Sequence, residues 1–236
     1  MRLAVFDIDG TLTDTCDVDA ECYVAAVGSV FGLASSVLAS EWESYPHITD
    51  SGIARTAVAR HLGREVEAFE MARLETEFSE LLTAELDRAP ERCRPLPGAV
   101  EFLTELSAHA EWEVALATGG FRSSSLLKLQ RAGFDPPVTL ATSGDSIARS
   151  AIVQTAIDNA RESSSDDLRA VVVLGDGPWD VRTSLELDLP CIGIGQGIAA
   201  ENLLALGAVG VLEDYLDRGL ARRLLATAAE GGDCAR

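Results

Sequence analysis

The sequence predicts an α/β protein: a parallel sheet with helices on both faces, into which an all-helical block is inserted. From about residue 98 onward, short apolar runs of strand length alternate with segments of helical length. That alternation is typical of right-handed crossovers between parallel strands, and such a sheet is covered on both faces. Residues 16 to about 92 contain no apolar run of this kind and show helical spacing instead. We therefore expect a core made of residues 1–15 and 94–236 and a helical block of residues 16–93.

The first strand is predicted at Leu3 to Phe6, an apolar run with β-favouring composition. It ends at Asp7 and Asp9, which are followed directly by Gly10. Two carboxylates at i and i+2 of an extended chain lie on the same side and repel each other. An Asp-Gly turn would explain Asp9 and Gly10, but it leaves Asp7 without a reason.

In the helical block, apolar residues recur with helical spacing from Tyr23 to Val30 and again from Leu74 to Leu81. A loop containing Pro46 and Gly52 separates these helices. After a turn-rich joint at residues 95–98, the core elements are expected in this order: helix 98–108, strand 114–117, helix 122–132, strand 138–141, helix 149–161, strand 170–174, a helix from residue 178, strand 191–194, helix 198–206, strand 208–212 and a final helix, with a frayed tail at 231–236.

Composition excludes several classes of protein. The net charge of −19 argues against binding to nucleic acid or to anionic membranes, since both require a basic surface. Five cysteines without a C-x-x-C pair indicate neither a disulfide framework nor a zinc cluster. No apolar run reaches the length of a signal-peptide core or a membrane span, so we expect a cytoplasmic protein. Lys128 is the only lysine, and we expect nearly all cationic chemistry to come from arginine.

Functional-looking side chains follow three of the predicted strands: Asp7 with Asp9, Thr118 with two glycines, and Asp176 with Asp180. The carboxyl ends of parallel strands meet at one edge of the sheet, where ligands of α/β proteins bind. Each motif alone could be a turn, and Arg149, in a fourth loop, could be a solvated helix residue. Together they predict a site.

The chemistry that suits these residues is phosphoryl transfer. A carboxylate such as Asp7 can attack phosphorus and form an aspartyl-phosphate. Mg²⁺ would offset the negative charge, because it prefers oxygen ligands. The predicted metal ligands are Asp7, Asp176, Asp180 and the main-chain carbonyl of Asp9.

The remaining residues have separate predicted roles. The carboxyl of Asp9 would act as general acid and later as base. Thr118 and the N–H groups of Gly119 and Gly120 would hold phosphate oxygens, and Arg149 would offset charge in the transition state.

These residues resemble the motifs of the haloacid dehalogenase superfamily. Its first motif, D-x-D-G-T, matches residues 7–11, its second motif matches Thr118, and its fourth motif, G-D-x-x-x-D, matches residues 175–180. The resemblance implies a Rossmann-like core and identifies the helical block as a helical cap of the C1 type, similar to phosphoglycolate phosphatase and β-phosphoglucomutase relatives. The usual lysine of the third motif is replaced by Arg149, whose planar guanidinium makes different contacts, and Arg122 is a second candidate for that role.

The resemblance implies a Mg²⁺-dependent phosphatase acting on a small phosphorylated metabolite, as a monomer or a homodimer. Asp9 and the acidic pair Asp176 and Asp180 favour phosphoryl transfer over dehalogenation, since a halide leaves without a proton. A sugar phosphomutase and a non-catalytic metabolite-binding protein remain alternatives. Substrate contacts are expected from the cap, with these candidates: His47, Thr49, Asp50, Ser51 and Arg55.

Overall fold

The structure, a computed structural model, describes residues 1–38, 42–135, 139–164 and 167–233. Its strands are β1 (Arg2–Phe6), β2 (Thr13–Asp14), β3 (Arg94–Pro95), β4 (Trp112–Ala117), β5 (Leu140–Ala141), β6 (Ala170–Gly175), β7 (Cys191–Ile194) and β8 (Gly210–Leu212). Its α-helices are α1 (Cys16–Phe31), α2 (Asp50–Leu62), α3 (Ala68–Arg88), α4 (Ala99–Ser107), α5 (Arg122–Arg131), α6 (Arg149–Ser163), α7 (Pro178–Glu186), α8 (Gly197–Leu206) and α9 (Arg218–Asp233).

The main sheet has six parallel strands in the order β5-β4-β1-β6-β7-β8. The first strand of the chain therefore lies in the interior of the sheet, and the chain winds outward from it in both directions. The register pairs Phe6 with Leu116 on one side and with Leu174 on the other. The three strands consequently end at nearly the same level, which brings the residues that follow them together.

Both faces of the sheet are covered, as predicted. Leu3 and Val5 pack into a cluster with Ile152 of α6, whereas Ala4 and Phe6 belong to the larger cluster that includes Leu225 of α9. These four side chains of the five in β1 are fully buried. This two-sided burial explains why β1 is a continuous apolar run rather than an alternating one.

The helical cap consists of α1, α2 and α3. The rings of Tyr23 in α1 and Phe78 in α3 meet edge to face, with centroids 5.6 Å apart. The chain leaves the core and returns to it through β2 and β3, which pair antiparallel with Thr13 opposite Pro95. This pair of short strands was not predicted from the sequence. The α/β class with an inserted helical cap is confirmed.

Element boundaries differ from the predictions in small ways. Strand β5 was expected from residue 138, which lies outside the described residues, and its described part begins at Leu140. Strand β8 begins at Gly210 rather than residue 208, and α9 continues to Asp233 within the expected tail. Among the residues that the structure describes, no helix has the length and apolarity required to cross a membrane.

Candidate active site

A cavity of about 190 Å³ lies beneath the cap, at the carboxyl ends of β1, β4 and β6. The predicted residues that line it are Asp7, Asp9, Thr49, Asp50, Thr118, Gly119, Gly120, Arg149 and Asp176. These residues come from five separate stretches of the chain. The level ends of β1, β4 and β6 bring Asp7, Thr118 and Asp176 together.

An acidic cluster forms the floor of the cavity. One carboxylate oxygen each from Asp7, Asp176 and Asp180 lie within 4.8 Å of one another. Burial raises the pKa of Asp7 to about 7 and holds the pKa of Asp176 well above its ordinary value, and the neighbouring carboxylates act in the same direction. Asp7 Oδ1 is buried and has no hydrogen-bond partner among the described residues. This arrangement fits a divalent cation with oxygen ligands.

Arg149, the first residue of α6, is the cation next to this cluster. Its guanidinium lies 3.0 Å from Asp7 Oδ2 and 2.8 Å from Asp180 Oδ1. A third contact goes from its Nη1 to the carbonyl of Ile48 in the cap, at 3.2 Å. The guanidinium therefore holds Asp7 in position and connects it to the cap.

Two glycines leave room for these charged groups. Gly10 has a φ of +73°, and a Cβ there would lie 2.1 Å from Asp176 Oδ2. A Cβ on Gly119 would lie 2.6 Å from Arg149 Nη1. Only glycine fits both positions, because each side chain would occupy the place of a site residue.

Asp9 lies apart from the acidic cluster, and both of its carboxylate oxygens accept hydrogen bonds. Thr15 Oγ1 donates to Oδ1 at 2.5 Å, and Lys128 Nζ donates to Oδ2 at 2.6 Å. The side chain is thereby held away from the cluster, and only its main-chain carbonyl remains as the predicted metal ligand. The carboxyl is available for the predicted acid and base role.

Lys128 is a second cation beside the cavity, in addition to the predicted Arg149. Its side chain is fully buried in α5, where the ammonium contacts both Asp9 and Asp19. Burial alone would lower the pKa of Lys128, but the carboxylates of Asp19 and Asp9 raise it above its ordinary value. Burial also raises the pKa of Asp19 to about 6, although Lys128 acts against this.

The loop of residues 118–121, which carries the second motif, is held in place by hydrogen bonds. The N–H of Gly120 donates to Thr118 Oγ1 at 3.2 Å, so this predicted phosphate donor already has a partner. The N–H of Phe121, directly before α5, donates to Asp50 Oδ2 at 2.8 Å. A cap carboxylate thus occupies the N-terminus of α5 in this structure, which limits the space for a phosphate to the Thr118 and Gly119 end of the loop.

The cap loop at the start of α2 is docked on the core. The N–H of Asp50 donates to the carbonyl of Gly119 at 2.8 Å, and Thr49 Oγ1 donates to the carbonyl of Ile147 at 2.9 Å. Ser51 Oγ donates to a core carbonyl at 2.8 Å. These contacts hold the cap loop against the core beside the cavity. Thr49 and Asp50 line it, as expected for substrate contacts, whereas Ser51 holds the loop.

Three predicted substrate-binding residues do not reach the cavity, and none of them lines it. Arg55 lies on the exposed side of α2, because Ile53 and Ala54 occupy its buried side. Arg122 is half exposed and donates to the carbonyl of Leu140 at 2.7 Å. His47 is partly buried in the cap loop. Arg149, not Arg122, contacts Asp7.

Several lining residues were not predicted: Asp19, Tyr23, Trp42, Ile53 and Trp179. The four from the cap form one wall, which we call the cap wall (Asp19, Tyr23, Trp42, Ile53 and the predicted Asp50). Trp179 lies on the core side, with its ring centroid 5.8 Å from the guanidinium carbon of Arg149. The wall combines aromatic and acidic groups.

The chain is similar to known proteins over most of its length. The model of the haloacid dehalogenase-like hydrolase family matches residues 1–186. A protein of Agrobacterium fabrum (strain C58) named phosphoglycolate phosphatase is 26% identical over 214 residues, which cover 90% of this chain and 88% of the relative.

Two solved structures share the fold. A hydrolase from Pseudomonas syringae superposes with a TM-score of 0.66 at 22% identity, covering 97% of this chain and all of that one (100%). A protein from Bacteroides vulgatus provisionally named a β-phosphoglucomutase has the same TM-score of 0.66 at 17% identity, covering 98% of this chain and 90% of that one.

Proposed function

Because the chain belongs to the haloacid dehalogenase-like hydrolase family, we propose that it is a Mg²⁺-dependent phosphatase that hydrolyses a small phosphorylated metabolite through a phosphoryl group carried on Asp7. One observation carries this proposal. Asp7 directly follows β1, a buried strand in the interior of the sheet. Its Oδ1 has no hydrogen-bond partner among the described residues, and its Oδ2 is held by Arg149. A buried carboxylate that is fixed on one oxygen and unoccupied on the other is suited to nucleophilic attack.

Asp7, Asp176 and Asp180 are the side chains that would hold Mg²⁺. The metal would supply a Lewis acid for a phosphoryl oxygen and offset the charge of the acidic cluster. Their shared oxygen chemistry and short separation support this assignment. Arg149 adds a fixed positive charge beside the nucleophile, which the reaction of an anion with an anion requires.

The reaction follows from the residues in two steps. Asp7 Oδ1 attacks phosphorus, the ester P–O bond breaks, and the carboxyl of Asp9 gives its proton to the departing alcohol oxygen. Water then attacks phosphorus, Asp9 takes the proton of that water, and the bond from phosphorus to Asp7 breaks. Inorganic phosphate and an alcohol are the products, and the closed cap keeps bulk water from competing with the first step.

The cavity also limits the substrate. Its volume of about 190 Å³ lies below the range of roughly 300–1,000 Å³ typical of ligand sites, which favours a small ester. Among the described residues that line it, Arg149 is the one cation, and Asp7 and Asp180 already engage it. A second anionic group on the substrate would face Asp50 and Asp19, of which Asp19 is already paired with Lys128, and no further cation lines the described part of the cavity. We infer that the leaving alcohol is uncharged or cationic.

A matched series of two-carbon substrates tests this inference. We expect kcat/KM to rise from 2-phosphoglycolate to 2-hydroxyethyl phosphate and again to 2-aminoethyl phosphate, because the cap wall repels a carboxylate and attracts an ammonium. The carboxylate substrate should be at least about tenfold worse than the uncharged one, since close charges in a cavity interact by more than 1.4 kcal/mol. Phosphate release measures all three.

The control is Asp50→Asn. This variant should reduce the difference in kcat/KM between 2-phosphoglycolate and 2-aminoethyl phosphate, and its activity should still require Mg²⁺. A preference for 2-phosphoglycolate over 2-hydroxyethyl phosphate would refute the assignment of the leaving group. It would leave the phosphatase proposal intact.

Metal binding should be visible in thermal unfolding. A carboxyl whose pKa is raised on folding, as for Asp7 at about 7, destabilises the protein above that pKa, and this cost disappears as the pH falls toward the unfolded value near about 4. Mg²⁺ relieves the cost by binding the ionised carboxylates. The rise in Tm on adding Mg²⁺ should therefore be larger at about pH 8 than at about pH 5.

Asp176→Asn removes one predicted ligand and should strongly reduce this Mg²⁺-dependent shift. Equal shifts at both pH values, or an unchanged shift in Asp176→Asn, would count against the acidic cluster as the metal site. The measurement does not depend on a substrate.

A sugar phosphomutase is the alternative, since one structural neighbour carries that name. Release of inorganic phosphate distinguishes a phosphatase from a mutase, which would return the phosphoryl group to a sugar. The small cavity favours the phosphatase. We also keep a cytoplasmic location and a monomeric or homodimeric state as proposals.

A further inference from the structure

The ion pairs around Lys128 join three parts of the molecule. We call this group the Lys128 bridge: Lys128 on core helix α5, Asp9 in the loop after β1, and Asp19 in the first turn of cap helix α1. The side chain of Lys128 is fully buried, whereas those of Asp9 and Asp19 are 19% and 18% exposed. The ammonium therefore depends on these two carboxylates for its stability in the interior.

The bridge spans the junction between the core and the cap. Lys128 and Asp9 both belong to the core, but Asp19 follows the β2 connection, only four residues after Thr15. Thr15 itself donates to the other oxygen of Asp9, at 2.5 Å. Both contacts that orient the Asp9 carboxyl are thus connected to the cap, one directly through Thr15 and one through Lys128 and Asp19.

The bridge also has a clear energetic consequence. A buried ammonium with one carboxylate partner is less well compensated than one with two, so a movement of the cap that withdrew Asp19 would leave Lys128 with Asp9 alone. A closed cap lets Lys128 divide its hydrogen bonds between both carboxylates. In this structure the cap loop is docked on the core and Lys128 contacts both carboxylates.

We propose that Lys128 is a positioning residue that couples cap closure to the general acid. Closure brings Asp19 onto the ammonium, and Lys128 then holds the Asp9 carboxyl at the leaving-group side of the cavity. This inference rests on the proposed phosphatase function. Lys128 acts through Asp9 and does not contact the reacting atoms.

Two small substrates separate this role from a purely structural one. Ethyl phosphate has an alkoxide leaving group that needs a proton from Asp9, whereas acetyl phosphate releases a carboxylate that leaves without one. In Lys128→Met, we expect kcat/KM for ethyl phosphate, which reports the first step alone, to fall about 100-fold, the scale of general acid catalysis, while most of the kcat/KM for acetyl phosphate is retained. Asp9→Asn should give the same pattern and serves as the reference.

A matched control is available on the same helix. Arg131 of α5 forms a core-to-cap ion pair with Asp87 of α3, at 2.6 Å, but neither residue contacts Asp9. Arg131→Met should leave the ratio of the two kcat/KM values unchanged. Asp19→Asn removes only the cap end of the bridge and should lower the kcat/KM for ethyl phosphate selectively but less. This second variant keeps the test available if Lys128→Met does not fold.

Equal losses for both substrates in Lys128→Met and Asp19→Asn would overturn the inference, because they would indicate a structural role only. Unchanged kinetics in both variants would overturn it as well. If the unaltered protein with Mg²⁺ releases phosphate from neither substrate nor from other phosphate esters, the proposed function fails first, and the inference fails with it.

Discussion

Replacing Asp7 by asparagine should abolish Mg²⁺-dependent phosphate release, with a loss in kcat of at least about 10⁴-fold. The amide keeps the shape of the side chain but is a poor nucleophile, and it removes the negative charge that Arg149 contacts at 3.0 Å. No neighbouring carboxylate can replace Asp7 as the nucleophile. Asp176 follows β6, and Asp180 lies in α7, where Arg149 holds its side chain. Steady-state phosphate release measures the loss.

The matched control is Asp188→Asn, the same chemical change at an exposed turn. Asp188 has a φ of +55°, a conformation that asparagine adopts readily, so this variant should keep full activity. Undiminished Mg²⁺-dependent turnover in Asp7→Asn would refute the assignment of the nucleophile.

Removal of the Arg149 side chain should have the second-largest effect. Arg149→Ala leaves Asp7 and Asp180 without the cation that lies 3.0 and 2.8 Å from them. We expect kcat to fall by about 10³-fold, since a fixed charge at the reacting group is lost. We also expect stability to fall by about 3–5 kcal/mol without metal, as when one partner of a buried ion pair is removed. Kinetics and denaturant unfolding measure the two effects.

Arg149→Lys is an informative second variant, because lysine is the usual residue of the third motif in the superfamily that the sequence resembles. An ammonium could contact Asp7 and Asp180 as a point charge, as Arg149 Nη2 does, but it could not also reproduce the contacts of Nε to Asp180 and of Nη1 to the carbonyl of Ile48. We expect it to recover most of the kcat lost in Arg149→Ala and only part of the stability. Full activity in Arg149→Ala would exclude Arg149 from the reaction.

The sequence alone predicted the parts of the fold that depend on strong local signals. Continuous apolar runs such as β1 and β6 are buried on both faces, so their composition alone marks them. The pair of β2 and β3 has two residues in each strand and pairs Asp14 with Arg94, both exposed. Nothing apolar marks such strands, and their pairing depends on how the cap is inserted.

The same limit applies to the site. Asp7, Thr118 and Asp176 were predictable because each directly follows a strand, and parallel register then brings them together. Lys128 lies within α5 and Asp19 lies in the first turn of α1, positions where a charged residue is usually solvated. Only the three-dimensional packing of α5 against the cap buries the ammonium between two carboxylates 119 and 109 residues away. Its status as the single lysine was the one available signal.

The central claim is that phosphate passes through Asp7, and the stereochemical course at phosphorus tests it most directly. A phosphate monoester made chiral with oxygen isotopes or sulfur undergoes one inversion for each displacement. Transfer to Asp7 followed by attack of water gives two inversions, so the account predicts net retention of configuration in the phosphate released. Net inversion would mean that water attacks the substrate directly, and it would contradict the account.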